Sequence, residues 1–244
     1  MSIDVSSRKN RGSYAAGVRR LCAALFCGLV VASCGMGEMS NGLADIENPV
    51  SRRLNWFAYL DGADIRRECR AGSDDRVRMV FNGRYMDQVQ SYELTQDGGA
   101  EVLQTHVFAP FQVNRPFGLD GIGEVASGRP RMERLGQAGA QALWAALADS
   151  GAFEPAPRGL WLDSEEFYWI AVGCRDGAVF FNAWRHPSPR FAALTFPEVL
   201  RRYETSDVAW PRLDMPPDIM RQSDIRESEV PHFRLEVRPE GIKR

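Results

Sequence analysis

Three histidines are the first candidates for chemistry in this 244-residue sequence, because imidazole binds metals and transfers protons near neutral pH. His106, His186 and His232 each fall in a separate predicted strand. A zinc site normally takes two of its ligands from one short segment, and the three histidines are too far apart in the sequence for that. A strand histidine beside apolar neighbours is more often structural. The sequence therefore predicts no metal site and no cofactor.

A carboxylate cluster, Asp163, Glu165 and Glu166, is the second candidate. Paired carboxylates can divide acid and base roles, but adjacent residues on a turn rarely converge on one substrate atom. No serine lies in a G-x-S-x-G segment, and Cys174 has no histidine at a recognisable catalytic spacing. We interpret the cluster as a solvated turn and predict no catalytic residue.

A glycine-rich segment, residues 121–126 (GIGEVA), matches the G-x-G-x-x-A dinucleotide fingerprint formally. That chemistry needs the glycines between a strand and a helix whose N-terminus faces a pyrophosphate. Residues 127–130 separate this segment from any helix, so the pattern favours a loop.

A better candidate for binding is Trp184, Arg185 and His186 beside a proline turn, because aromatic and arginine side chains at a strand end often serve as interface anchors.

The elements that carry these residues follow from hydrophobic periodicity. Alternation predicts antiparallel strands near 76–81, 88–94 and 101–108, and steps of three and four residues predict a main helix over 132–149. A second hairpin, 166–174 with 178–186, is apolar on both faces of its first strand, which is typical of the middle of a sheet. Residues 195–198 (TFPE) form a capping box that opens a short helix. The predicted fold is α+β, an antiparallel sheet built from two hairpin units with one main and one short helix packed on it.

The N-terminus has the layout of an export signal. Residues 1–20 carry five basic side chains against a single acid, Asp4, and residues 21–32 carry no charge. A membrane-spanning helix needs about 20 apolar residues, and this run is shorter. A short uncleaved membrane helix, or a buried helix, is the alternative.

The apolar run ends in Val31, Ala32, Ser33 and Cys34, which resemble the lipobox of bacterial lipoproteins. The resemblance implies cleavage before Cys34, a diacylglycerol on its sulfur and an acyl chain on the new amine. It places the protein at the periplasmic face of the cell envelope. Gly35 favours the outer membrane, because lipoproteins held at the inner membrane typically have Asp in that place.

The predicted organisation is a signal peptide over 1–33, a tether over 34–53, a globular domain over 54–204 and a polar, proline-rich extension over 205–244 with a further strand at 232–237. Removing the signal takes away five of 30 basic and one of 32 acidic residues, which leaves 25 against 31 and a net charge near −6. This charge argues against a nucleic-acid partner.

The cysteines reduce to one pair. Cys22 and Cys27 leave with the signal peptide and Cys34 is acylated, so Cys69 and Cys174 are the thiols that remain. Export places them where disulfides persist, and we expect them to form one. The alternative is two buried free cysteines.

A second resemblance concerns the order of elements over residues 76–203. Strands, a helix ending in residues 150–153 (SGAF) with prolines after it, an acid-led hairpin and a proline-opened helix look like the order in emfourin-type inhibitors of metalloproteases. It implies an α+β layer.

The functional hypothesis is a non-enzymatic lipoprotein that binds an envelope protein or has a structural role there. The alternatives are a tethered protease inhibitor and a hydrolase with an unrecognised site.

Overall fold

A six-stranded antiparallel sheet organises the structure, a computed structural model that describes residues 56–85, 88–108, 130–205, 209–214 and 232–244. The strands are β1 (Arg76–Gly83), β2 (Val89–Asp97), β3 (Ala100–Phe108), β4 (Arg131–Leu135), β5 (Trp161–Asp163), β6 (Phe167–Arg175), β7 (Ala178–Arg185), β8 (Arg234–Arg238) and β9 (Gly241–Lys243). The helices are α1 (Ala63–Glu68), α2 (Gln137–Asp149), α3 (Pro189–Ala192) and α4 (Phe196–Tyr203), and residues 56–60 are also helical. The large sheet has the order β4-β3-β2-β1-β6-β7, so the predicted α+β class is confirmed.

Two hairpins in the large sheet close through two-residue turns. Gly98 and Gly99 join β2 to β3 with φ angles of 58° and 80°, and Asp176 and Gly177 join β6 to β7 with 52° and 74°. Two successive positive φ angles define the turn whose twist matches that of the flanking strands, and glycine adopts them without steric cost. The strands of both hairpins were predicted from the sequence, and their antiparallel pairing is confirmed.

Each face of the large sheet is buried under different elements. On the first face, α2 and α4 cover a core that includes Met79, Tyr92, Leu143, Trp169 and Phe196. On the second face, residues 56–60, α1 and the small sheet β5-β8-β9 cover a core that includes Tyr59, Ile65, Tyr168, Ile170 and Leu235. Every residue of β6 from Phe167 to Cys174 is buried, and successive side chains belong to the first and the second core in turn, as expected of a strand covered on both sides.

The main helix begins later than predicted. The periodicity indicated a start at residue 132, but residues 131–135 pair with β3 as strand β4 and α2 begins at Gln137. Ala138 and Ala142, two of the residues whose three- and four-residue spacing predicted the helix, are exposed, whereas Trp144 is buried. Backbone pairing with β3 therefore outweighs helix propensity at 132–135, since Leu135 is the one buried residue of β4.

The short helix α4 lies where it was predicted, although Thr195 does not cap it. The Thr195 side chain makes no hydrogen bond to the helix and donates instead to the carbonyl oxygen of Ala146 in α2, at 3.0 Å. Ser150 Oγ accepts from the Thr195 N–H at 3.0 Å. These bonds join the start of α4 to the end of α2.

The hairpin β6–β7 is not the middle of the sheet, because β7 is an edge strand. Polar side chains blunt this edge. The amide oxygen of Asn182 accepts from the N–H of Ala183 at 2.9 Å, and Arg190 donates to the carbonyl oxygen of Ala183 at 3.2 Å. Blocking the free backbone groups of an edge strand in this way protects it from pairing with another chain.

The C-terminal residues complete the second core. The strand predicted at 232–237 is β8, and it pairs with β5 rather than with the edge of the large sheet. Phe233, Leu235 and Val237 are buried. All described residues belong to one compact unit, Leu43–Arg244. Within the described ranges, no helix has the length and apolar character needed to cross a bilayer.

Candidate partner-binding surface

The structure separates the histidines that could have formed a metal site. His106 lies on β3, where its ring stacks on Phe108 with centroids 4.2 Å apart, and His186 follows β7. Four strand spacings lie between β3 and β7, which corresponds to about 19 Å. In the part of the chain that the structure describes, no three His, Cys, Asp or Glu side chains come together as metal ligands could.

The carboxylate cluster is a turn whose charges are engaged locally. Asp163 accepts from the N–H of Glu165 at 3.0 Å and lies 3.0 Å from Nε2 of His232. Its other oxygen lies 3.6 Å from Arg234, and Glu166 lies 3.9 Å from Arg185. The cluster therefore marks the junction between β5, β6 and β8, which agrees with its interpretation as a turn.

Cys69 and Cys174 lie at disulfide distance, with their α-carbons 5.5 Å apart. Cys69 is the C-cap of α1, and Cys174 is buried near the end of β6. A bridge at this position would fasten α1 to the second face of the sheet. Cys34, the predicted lipidation site, and residues 121–126 lie outside the described residues.

The predicted interface residues Trp184, Arg185 and His186 do not share a surface. Trp184 is a core residue, 1% exposed, and its indole N–H donates to the carbonyl oxygen of Ser150 at 3.2 Å. Successive side chains of a strand point to opposite faces, so Arg185 lies on the other side of β7. Trp184 is therefore unavailable as an anchor, and this part of the prediction is wrong. Arg185 and His186 remain accessible to solvent.

A different tryptophan, Trp161, lies beside Arg185. Arg185 Nη1 donates to the carbonyl oxygen of Trp161 on β5 at 3.3 Å, and the guanidinium of Arg234 lies 5.4 Å from the centre of the Trp161 ring. Trp161 is 41% exposed. His232 and Arg234 leave more than half of their side-chain surface exposed, at 54% and 60%. We call these four residues, Trp161, Arg185, His232 and Arg234, the Trp161 surface.

The chemistry of this surface suits a protein partner. Tryptophan and arginine are the residue types most enriched among interface residues that dominate binding energy. The ion pairs of Arg185 and Arg234 with neighbouring carboxylates are long, at 3.9 and 3.6 Å, and exposed. Such pairs contribute little free energy, so a carboxylate on a partner can compete for either guanidinium. The sequence pattern missed Trp161 because β5 and β8 are more than 70 residues apart and come together only through tertiary pairing.

A buried ionic network on the second face is the other concentration of charge. Arg78, 2% exposed, donates to Asp64 at 2.7 Å and to Glu93 at 2.9 Å, and its guanidinium lies 4.0 Å from the centre of the Tyr59 ring. Arg76 also donates to Asp64, at 2.7 Å.

The network shifts the protonation of its members. Burial raises the pKa of Tyr59 to about 12. Burial also opposes ionisation of Asp64, but hydrogen bonding and charge from Arg78, with the charge of Arg76, outweigh it and lower the pKa of Asp64. Because these groups satisfy one another inside the fold, we assign the network a structural role.

Comparisons with protein-family models, with curated proteins and with solved structures gave no match.

Proposed function

We propose that this chain is a lipid-anchored protein of the bacterial cell envelope that binds an envelope protein through the Trp161 surface and has no catalytic activity of its own. The observation that carries the proposal is the placement of Trp161, half exposed, between Arg185 and Arg234 on an outer face of the fold. The lipobox supports the proposed location at the membrane, since three acyl chains hold a protein there essentially permanently.

A permanent membrane anchor and a protein-binding surface together suit a protein that binds a partner at the same membrane. A tethered domain meets a partner in the same membrane layer at a raised effective concentration, so even a modest interface can hold it. Residues 34–53, as a predicted tether, would set the reach of that encounter. The partner would present an apolar pocket for the indole and at least one carboxylate for the two guanidinium groups.

Site-specific photo-crosslinking in the native membrane tests the proposal. A photoreactive residue in place of Trp161 is expected to give one discrete adduct, whereas the same residue in place of Phe153 gives none. Phe153 is a matched control because it is 39% exposed but packs against Phe180, on the first face of the sheet.

Charge reversal makes the test specific. Arg185→Glu and Arg234→Glu are expected to reduce the adduct about tenfold, as loss of an interface arginine commonly does, whereas Arg212→Glu, at an exposed arginine elsewhere, leaves it unchanged. An adduct of equal yield from both photoreactive positions, or one insensitive to both reversals, would disprove the role of this surface.

A further inference from the structure

Asp163 lies between two members of the Trp161 surface, His232 and Arg234. Nε2 of His232 is 3.0 Å from Oδ1 of Asp163 and 3.1 Å from Oδ2. Nε of Arg234 is 3.6 Å from the same Oδ2. Asp163 and Arg234 are also direct partners in the β5–β8 ladder, so their side chains lie on the same face of the small sheet. The imidazole and the guanidinium therefore compete for one carboxylate.

Arg234 also lies against the exposed tryptophan of this surface. Its guanidinium is 5.4 Å from the centre of the Trp161 ring. Trp161 precedes Asp163 by two residues on β5, so both side chains project from the same face. A guanidinium that leaves Asp163 can therefore stay beside the indole and pair with a carboxylate of a partner protein.

The charge of the imidazole decides how strongly Asp163 holds Arg234. Histidine is the side chain whose charge ordinarily changes between pH 5 and 8. A neutral imidazole can donate one N–H to Asp163, but the carboxylate keeps its charge and its attraction for Arg234. A protonated imidazole cancels that charge at 3.0 Å. The other charged groups of this turn are Glu165 and Glu166, with Arg185 3.9 Å from Glu166.

We infer that protonation of His232 strengthens the binding of an acidic partner at the Trp161 surface by releasing Arg234 from Asp163. The added proton raises the charge of the surface by one, and the released guanidinium becomes available to a carboxylate of the partner. Both changes act in the same direction, so binding increases as the pH falls through the range in which histidine titrates. The inference rests on the proposed function, because it describes how that same surface is regulated.

The photo-adduct formed from position 161 in native membranes tests the inference when it is measured at two pH values. Its yield is expected to be about threefold higher at pH 5.5 than at pH 7.5, since one exposed ion pair is at stake. His232→Gln should give the lower yield at both pH values, because glutamine carries no charge. His232→Arg, a permanent cation in the same place, should give the higher yield at both.

Two further variants identify the group and the mechanism. His186→Gln should keep the rise at pH 5.5, since His186 packs against Phe167 and Phe191 rather than against Asp163. Asp163→Asn removes the charge that holds Arg234 but keeps an oxygen that can accept from the N–H of Glu165. It is therefore expected to raise the yield at pH 7.5.

The outcomes separate this inference from the proposed function. An adduct whose yield is the same at both pH values, or whose rise survives in His232→Gln, would overturn the regulation by His232 and leave binding at the Trp161 surface in place. An unchanged yield at pH 7.5 in Asp163→Asn would overturn the release of Arg234. Absence of any adduct from position 161 at either pH would refute the proposed function, and this inference with it.

Discussion

Arg78 on β1 donates to both carboxylate oxygens of Asp64 on α1, at 3.0 and 2.7 Å, and so fastens that six-residue helix to the sheet. Arg78 also donates to the backbone carbonyl oxygen of Tyr59 at 3.1 Å. A helix of six residues has little stability of its own. Three interactions therefore hold α1 in position: this ion pair, the burial of Ile65 and the pairing of Cys69 with Cys174.

Asp64→Ala is expected to destabilise the fold by up to about 3 to 5 kcal/mol, because its removal leaves Glu93 to balance the buried guanidinium of Arg78 together with that of Arg76. Urea unfolding at neutral pH measures the change. Glu198→Ala is the matched control, since it removes an exposed carboxylate from its pair with Arg201 and should have little effect. Equal loss in the two variants would contradict the structural role of Asp64.

The same pair predicts how stability changes with pH. The pKa of Asp64 is lower in the folded chain than in the unfolded one. Its contribution is therefore fully present above the unfolded value of about 3.9 and is lost as the pH falls below it toward the folded value. The difference in unfolding free energy between the wild type and Asp64→Asn should shrink from pH 6 to pH 3. A difference that stays constant over this range would count against the prediction. Asp61, whose pKa is raised chiefly by burial, is common to both proteins and cancels.

Cys69 and Cys174 are expected to resist thiol labelling in the denatured, unreduced protein and to label after reduction. Labelling read peptide by peptide in a mass spectrometer distinguishes them from the cysteines near the N-terminus. The pair encloses a sequence separation of 105 residues. Loop entropy for such a bridge amounts to about 4.7 kcal/mol at most, so Cys174→Ser should lower the free energy of unfolding by up to that amount. Full labelling of both cysteines before reduction would show that they are free.

Cys34→Ala is expected to abolish acylation and to leave the precursor unprocessed, because Cys34 supplies the acceptor sulfur in the lipobox. Mass spectrometry of the membrane-extracted protein detects both changes. Cys27→Ala removes a neighbouring cysteine from the apolar run and should leave lipidation intact. An unmodified cysteine at residue 34 in the wild-type protein would refute the lipoprotein interpretation.

Local features of the fold could be predicted from the sequence because their physical causes are local. Residues 97–100 and 175–178 carry the turn chemistry of their hairpins, and alternation of apolar with polar residues predicts β1, β2 and β3, although β1 is buried on both faces. The prediction of helix at residues 132–135 is wrong because a non-local interaction decides the structure there. These residues can form either a helix or a strand, and pairing with β3 decides between them.

The candidate site could be predicted only in part. Arg185 was predicted from its position at a strand end, but Trp184, which was predicted with it, is buried, and His186 packs against Phe167 and Phe191. The side of a strand that faces solvent depends on what covers each face of the sheet, and α4 covers Trp184 with Phe196. The local sequence around Trp184 does not show that α4 packs on this residue.

The sequence by itself determined strands β1, β2, β3, β6, β7 and β8, helix α4 and most of α2, the two hairpins and the α+β class, since each depends on neighbours within a few residues. Only the tertiary structure decided the strand order, the pairing of β5 with β8 and the buried pair of Arg78 and Asp64. It also brought Trp161 beside Arg185 and placed Trp210 on Phe81. These relationships join segments far apart in the chain, where burial of large apolar areas and satisfaction of buried charges, rather than local propensity, select one arrangement.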